Sequence, residues 1–291
     1  MFRLAAITDE ISQDFAHALD VCLEYGAVGA EIRSVWDTRV QDLSDKQVAE
    51  MKSILADRGM EVCCIASPFL KCDLGDEQAY EEHLLLLRRC IEIAHAFGTT
   101  NLVRVFTFWK KGPLEPVFEH IVKAYEAPLK IAEEMDAVLG VENEASCYLG
   151  TGEEVARFLA RFDTPRLAAV WDPANQVHAH GAPPYPNGYE AVRERMVHMH
   201  IKDSVWDETE GKARSAAIGE GDIDLRGQIR ALLDDGYEGY VSLETHWRPK
   251  ALTEEQLNRP GGAAFSSQGE YGSRVCFENL NRIIAEVRGN A

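Results

Sequence analysis

The chain has 291 residues, with 48 acidic against 30 basic side chains and a formal net charge of −18. This length can bury a full core in one domain, and the charge repels phosphate backbones, which argues against nucleic acid as a partner. The start, MFRLAAITDE, lacks the basic flank and apolar stretch of a secretory signal, and no apolar run reaches membrane-spanning length, so a soluble cytoplasmic protein without a membrane partner is expected.

In chain order, short β-like runs alternate with longer amphipathic ones, the pattern of βα units around a parallel sheet. The first four predicted strands are Arg3 to Thr8, Val28 to Arg33, Glu61 to Ser67 and Asn101 to Thr107. Between them, DKQVAEMKSILADRG and YEEHLLLLRRCIEIAHAFG read as helices. In the second, Leu84, Leu87, Ile91 and Ala94 recur at three-to-four spacing, and Gly98 reads as the C-cap, like Gly26 and Gly59. Four further apolar runs follow: VLGVENEAS, LAAVWDPAN, MVHMHIKD and YVSLETHW. Eight such units predict a single-domain (β/α)8 barrel over residues 1–291. The rival, an open doubly wound sheet, is weakened because no GxGxxG follows the first strand. The first units are expected to turn quickly into their helices, and the segments after strands six, seven and eight to form long loops at the mouth, where substrate or partners bind. The seven cysteines form no CxxC pair, and Cys63 and Cys64 read as small core residues.

Each of the last four runs ends in a side chain able to bind metal: Glu142, Asp172, His200 and Glu244. Side chains alternate faces along a strand, so Glu142 shares a face with Glu144, His200 with His198 and Lys202, and Glu244 with His246. Carboxylates converging inside a barrel need a cation to neutralise them. Three carboxylates and one imidazole suit Mn²⁺ first, with Mg²⁺, Co²⁺ and Zn²⁺ as the other candidates, and their dispersal over separate βα units fits a catalytic rather than a structural site. The histidines divide in the same sense. His17, His83, His95 and His120 fall in helices, whereas His178, His180, His198, His200 and His246 gather at strands six to eight. Asn175, His178, Lys202, His246 and Arg104 are the candidate substrate contacts, with orientation of a ligand as the alternative for Asn175 and Lys202. Ser67, Lys71 and Glu31 read equally as salt-bridging or mouth-lining residues. Phe106, Phe108, Trp109, Trp171, Trp206 and Trp247 read as core or rim that could also stack on a sugar-like ring.

The Glu of VENE, the Asp of WDPAN, the second His of HMHIKD, the IGEGDIDL segment and the Glu of SLETH resemble the xylose isomerase-like sugar phosphate isomerase/epimerase superfamily. That group includes inosose isomerases and dehydratases, ketohexose 3-epimerases and endonuclease IV. The resemblance implies metal ligation by Glu142, Asp172, His200 and Glu244, and acid and base roles for Glu142 and Glu244 in proton transfer through an enediolate of a sugar or polyol ketone. Where ketohexose 3-epimerases carry a Glu, an Arg and a His, this chain has Tyr148, Trp206 and Asn175, so the resemblance implies the reaction type rather than that substrate. A lyase, either a dehydratase or a β-eliminase, would use the same site with His178, His180, His198 or His246 as the acid. A non-catalytic metal- or carbohydrate-binding accessory subunit is the third reading. Lys71, Lys202, Lys212, Arg214, Arg248 and Lys250 could meet an anion, but none lies in a phosphate-cradling loop, so a non-phosphorylated polyol is favoured. A homo-oligomer is left open.

Overall fold

Strand β1 (Arg3–Ile7) pairs in parallel with β2 (Gly29–Ile32) on one side and with β8 (Tyr240–Leu243) on the other, which closes the sheet on itself. The computed structural model describes residues 1–289. Between these strands run β3 (Glu61–Ile65), β4 (Leu102–Val105), β5 (Val138–Glu142), β6 (Leu167–Trp171) and β7 (Met196–Ile201), each parallel to its neighbours in chain order. Every strand is followed by helical chain that packs outside, so the architecture is the expected (β/α)8 barrel. The last two residues of the expected domain, 290–291, lie outside the described residues.

The expected strands are present, the first four with ends trimmed by one or two residues and the last four shorter by two to four at their C-terminal ends. Small side chains allow the barrel to close: Ala5, Cys63 and Cys64 pack with Leu102 and Tyr240 in an interior cluster. Gly29 belongs to the same arrangement, because a Cβ there would lie 2.5 Å from the Tyr240 ring and 2.9 Å from Ala5. All seven cysteines are buried and free, as expected of small core residues. The long third helix (Glu77–Phe97) is capped by Asp76, whose side chain accepts from the Ala79 N–H, and it ends at Gly98 with φ 76°. That left-handed cap is one glycine adopts at little cost.

The connections differ from expectation. After β2 the chain makes a small hairpin (Ser34–Val35 with Thr38–Arg39), and residues 66–76 and 106–117 separate β3 and β4 from their helices. The early turns are therefore long. Conversely, much of the late "loop" chain is ordered. His178 and His180 lie in the last turn of a helix, Pro173–His180, the segment after β7 folds as an antiparallel hairpin (Asp203–Asp207 with Lys212–Ala216), and that after β8 holds helical turns at Glu254–Asn258 and Ala263–Ser266. The hairpin strands are short and mostly polar, so alternation gave them no apolar signature. Among the described residues, no helix is long and apolar enough to cross a membrane.

Candidate metal centre

Local sequence explains how each of the four expected ligands reaches the barrel mouth. Glu142 is the last residue of β5, and Asp172 follows β6 directly. Asp172 is also the N-cap of the next helix, with Pro173 at its first position; its Oδ1 accepts from the Asn175 N–H at 3.0 Å, which leaves Oδ2 facing the centre. A proline there fixes φ without wasting a donor, so the WDPAN run starts a helix abruptly enough to lock its carboxylate. Asn143 adds a clamp, donating to the Asp172 carbonyl at 2.7 Å and accepting from its N–H at 2.8 Å. On β7, His200 lies opposite Ser242 of β8, and Glu244, two residues further along, points to the same interior.

These four residues converge: one donor atom from each of Glu142, Asp172, His200 and Glu244 lies within 4.8 Å of the others. All four are buried, at 3% exposure or less. His200 Nδ1 sits 2.9 Å from Glu142 Oε1, 3.8 Å from Asp172 Oδ2 and 3.6 Å from Glu244 Oε2. Glu142 Oε2 and Asp172 Oδ2 are buried without a hydrogen bond. Unsatisfied buried carboxylate oxygens are costly, and oxygens aimed into a shared space are what a divalent cation requires. The donor set thus fits such an ion.

Charge around the quartet is heavily compensated. The Lys202 ammonium bridges Asp172 Oδ2 at 2.8 Å and Glu244 Oε2 at 2.6 Å, although its angle to Asp172 makes an ion pair without a hydrogen bond. Arg33 reaches Glu244 at 3.1 Å while also pairing with Asp9 and Glu10, and Arg104 lies 3.4 Å from Glu142. Burial, reinforced by Glu142 and Glu244, pushes the Asp172 carboxyl up to about 6 against the pull of Lys202. Burial acts in the same direction on Glu244, but Lys202, His246 and His200 together hold it well below the usual range. Burial opposes the charge on Lys202 too, and the carboxylates of Asp172 and Glu244 outweigh it and raise its pKa.

The remaining expected residues fall into distinct places. Asn175 donates to Glu142 Oε1 at 3.2 Å and to the Asn143 carbonyl at 2.9 Å, so its amide orients Glu142. His246 Nε2 lies 3.4 Å from Glu244 and 3.5 Å from Glu10. His178 stands apart, 3.0 Å from the Ser204 hydroxyl, and burial pushes it down to about 4. His180 is exposed, 4.0 Å from Glu154. Tyr148 is buried, and Trp206 packs over Gly181. The IGEGD run serves the backbone rather than the centre, because the Asp203 carboxylate accepts from the Gly219 and Gly221 N–H groups and so pins the chain beyond the hairpin.

Sequence reasoning undervalued the partners of these residues. Glu31, fully buried, accepts from His198 Nε2 at 2.9 Å and meets His200 Nε2 at 3.1 Å with both oxygens. Nothing in the pattern of apolar runs singled out Arg33 or Glu10. Glu10, held down to about 2 by Arg33, His246 and Arg248 against the effect of burial, anchors Arg248 at 2.9 Å. The one signal that could have found such residues is a charge at the end of an apolar strand, which Glu31 and Arg33 both show.

Known proteins bear on this arrangement. Fructoselysine 3-epimerase from Shigella flexneri is 27% identical over 180 residues, 59% of this chain and 61% of that protein. The chain thus matches less than two thirds of that relative's length. In a structure of the IolI protein with a binding zinc atom, the TM-score is 0.74 at 16% identity, covering 98% of this chain and 99% of the other. A xylose isomerase-like TIM barrel protein from Mycobacterium smegmatis, in complex with magnesium, gives a TM-score of 0.67 at 20% identity, covering 94% and 88%. The profile of the xylose isomerase-like TIM barrel family matches residues 19–265, and the chain belongs to that family.

Proposed function

We propose that this chain is a divalent-metal-dependent isomerase or epimerase of a sugar or polyol-derived α-hydroxyketone, with Glu142 and Glu244 moving the proton. The observation that carries this reading is the buried quartet of Glu142, Asp172, His200 and Glu244, converging within 4.8 Å with two carboxylate oxygens unpartnered. The likeness to an epimerase of a ketose derivative supports the reaction class, and the zinc and magnesium in the related barrels support a cation. A divalent ion held by the quartet supplies positive charge that stabilises an enediolate; the oxygen-rich donors favour Mn²⁺, with Mg²⁺, Co²⁺ or Zn²⁺ also fitting.

The protein's own groups supply the rest. Glu142 and Glu244 come from β5 and β8, with the strands of Asp172 and His200 between them, so the two carboxylates flank the space that the quartet shares. Asn175 and Arg104 orient Glu142, and Arg33 and Lys202 orient Glu244. The Glu244 carboxylate on one flank can take a proton from carbon, and a carboxyl group on the other flank can return one to the opposite face. Elimination would also require an acid for the leaving group. His178, pushed down to about 4, is neutral near pH 7 and is a poor choice for it.

The test is solvent exchange. In D₂O, a turned-over ketose should gain deuterium at the carbon beside the carbonyl while its mass otherwise stays that of substrate. Glu142→Gln and Glu244→Gln should each lower that exchange at least about a thousandfold, within the range of general acid–base and electrostatic contributions, with the fold retained. Turnover without deuterium uptake, or with loss of water, would overturn the proposal.

A further inference from the structure

We propose that the substrate carries an oxyanion arm, a carboxylate or phosphate ester, which docks in a cationic cavity beside the metal centre. This inference rests on the proton-transfer reading above and names the substrate class for it. The cavity, about 190 Å³, opens among the segments that follow β2, β3 and β4 and the segment after β8. Five cationic side chains line it, Arg33, Arg39, Lys71, Arg104 and Arg259, and no acidic residue does. In a chain with 18 more acidic than basic residues, such a wall runs against the composition.

The five cations divide by their partners. Arg33 and Lys71 are paired with carboxylates lying outside the cavity lining, Arg33 with Asp9, Glu10 and Glu244 and Lys71 with Glu144. Arg104, only 4% exposed, ion-pairs with Glu142 at 3.4 Å and lies 4.0 Å from Glu244, but its Nε is buried without a partner. A buried guanidinium N–H without an acceptor is costly, and an anion in the cavity could accept from it. Arg39 and Arg259 are exposed at the rim and make no ion pair among the described residues. Planar guanidinium forks match carboxylate and phosphate oxygens in a way that neutral hydroxyls do not exploit.

Position links this cavity to the chemistry. Arg33 and Arg104 both line the cavity and approach Glu244 and Glu142, so the two regions share a wall. Phe106 and Trp109 complete the lining, and Phe106 lies beneath both the Lys71 ammonium at 4.4 Å and the Arg104 guanidinium at 4.8 Å. The expectation of a non-phosphorylated polyol rested on six cations, none of which lies in a phosphate-cradling loop. Of those six, Lys71 alone lines the cavity; Lys212 is exposed on the late hairpin, and Arg248 is buried against Glu10.

Three probes sharing a C2 ketone and differing at C6 test the assignment: D-fructose, D-fructuronate and D-fructose 6-phosphate. Their binding to the full chain is measured by titration calorimetry, with and without Mn²⁺. At least one anionic probe should bind roughly tenfold tighter than fructose at low salt, with the advantage shrinking as salt rises. Which anion gains identifies the arm as carboxylate or phosphate ester. The double substitution Arg39→Gln with Arg259→Gln, at two exposed positions, should remove most of that gain and leave fructose binding unchanged. The surface control Arg226→Gln should leave both the anion gain and fructose binding unchanged. Equal affinity for all three probes, no detectable binding of either anion, or a preference that survives the double substitution would overturn the inference. Because the readout is binding, failure of deuterium exchange would sink the reaction assignment while leaving the anion preference standing.

Discussion

Glu31→Gln probes how the centre holds its one imidazole. Glu31 is 0% exposed and meets both His198 and His200 through their Nε2 atoms, at 2.9 Å and 3.1 Å. With Nε2–H directed at Glu31, His200 presents the lone pair of Nδ1 toward Glu142, Asp172 and Glu244. Burial opposes the charge on Glu31, yet His200 and His198 hold it well below the usual carboxylate range. A glutamine keeps the size but loses the charge, and its NH₂ end would face an imidazole nitrogen that now has to accept, which favours the proton on Nδ1. Loss of such a carboxylate partner costs about 10- to 100-fold in metal affinity, or ~1.4–2.7 kcal/mol. Mn²⁺ titration calorimetry at neutral pH measures it directly, with thermal unfolding of the metal-free protein as the check on the fold. A folded Glu31→Gln protein that binds Mn²⁺ within threefold of wild type would show that Glu31 does not set the tautomer.

Lys202→Met removes the ammonium between Asp172 and Glu244. The metal-free variant should lose about 3 kcal/mol of stability, because breaking a buried pair strands its partners, and Mn²⁺ should raise its Tm more than that of wild type; an unchanged metal-free Tm would refute this. His178, at about 4 in the folded chain against 6.5 for an ordinary histidine, binds fewer protons folded than unfolded between those values. Its unfavourable protonation therefore costs nothing at pH 8 and develops as pH falls below 6.5, reaching about 2 kcal/mol at pH 5. Urea unfolding at pH 8 and pH 5 should show that His178→Gln narrows the difference between the two pH values by about that amount, and an unaltered difference would remove His178 as its source.

The quartet was legible because each member ends an apolar run, and period-two alternation told which neighbours share its face. Asp172 was doubly marked, since a D-P-A-N run after a strand is both a ligand position and a helix start. The barrel was legible for the same reason: eight buried strands read as near-continuous apolar runs. Glu31 and Arg33 were not, because their partners lie far along the chain, at His198, His200 and Glu244, and a lone charge at a strand end has the same local sequence whatever it meets. The long early connections were hidden too, since residues 66–76 contain Phe69, Leu70 and Cys72, whose burial is fixed by tertiary packing.

Those hidden connections explain why the four candidate ligands point to a class of reaction better than to a substrate. All four stand at the ends of β5 to β8, and the helix that follows β6 holds Glu142 through the short contact from Asn175. The cationic cavity is built from the other side of the mouth, after β2, β3 and β4, and is completed by the segment after β8, whose Asn258 carbonyl accepts from Lys71 at 3.4 Å. Only Arg33 and Arg104 belong to both. A barrel can therefore change the side chains after its early strands without moving a ligand, and sequence differences concentrated there alter what is bound more than what is done to it. Substitutions at Arg39 or Arg259 should accordingly act on substrate affinity, while substitutions at Glu142 or Glu244 act on the chemical step, and Arg33 and Arg104 are the positions at which the two effects should appear together.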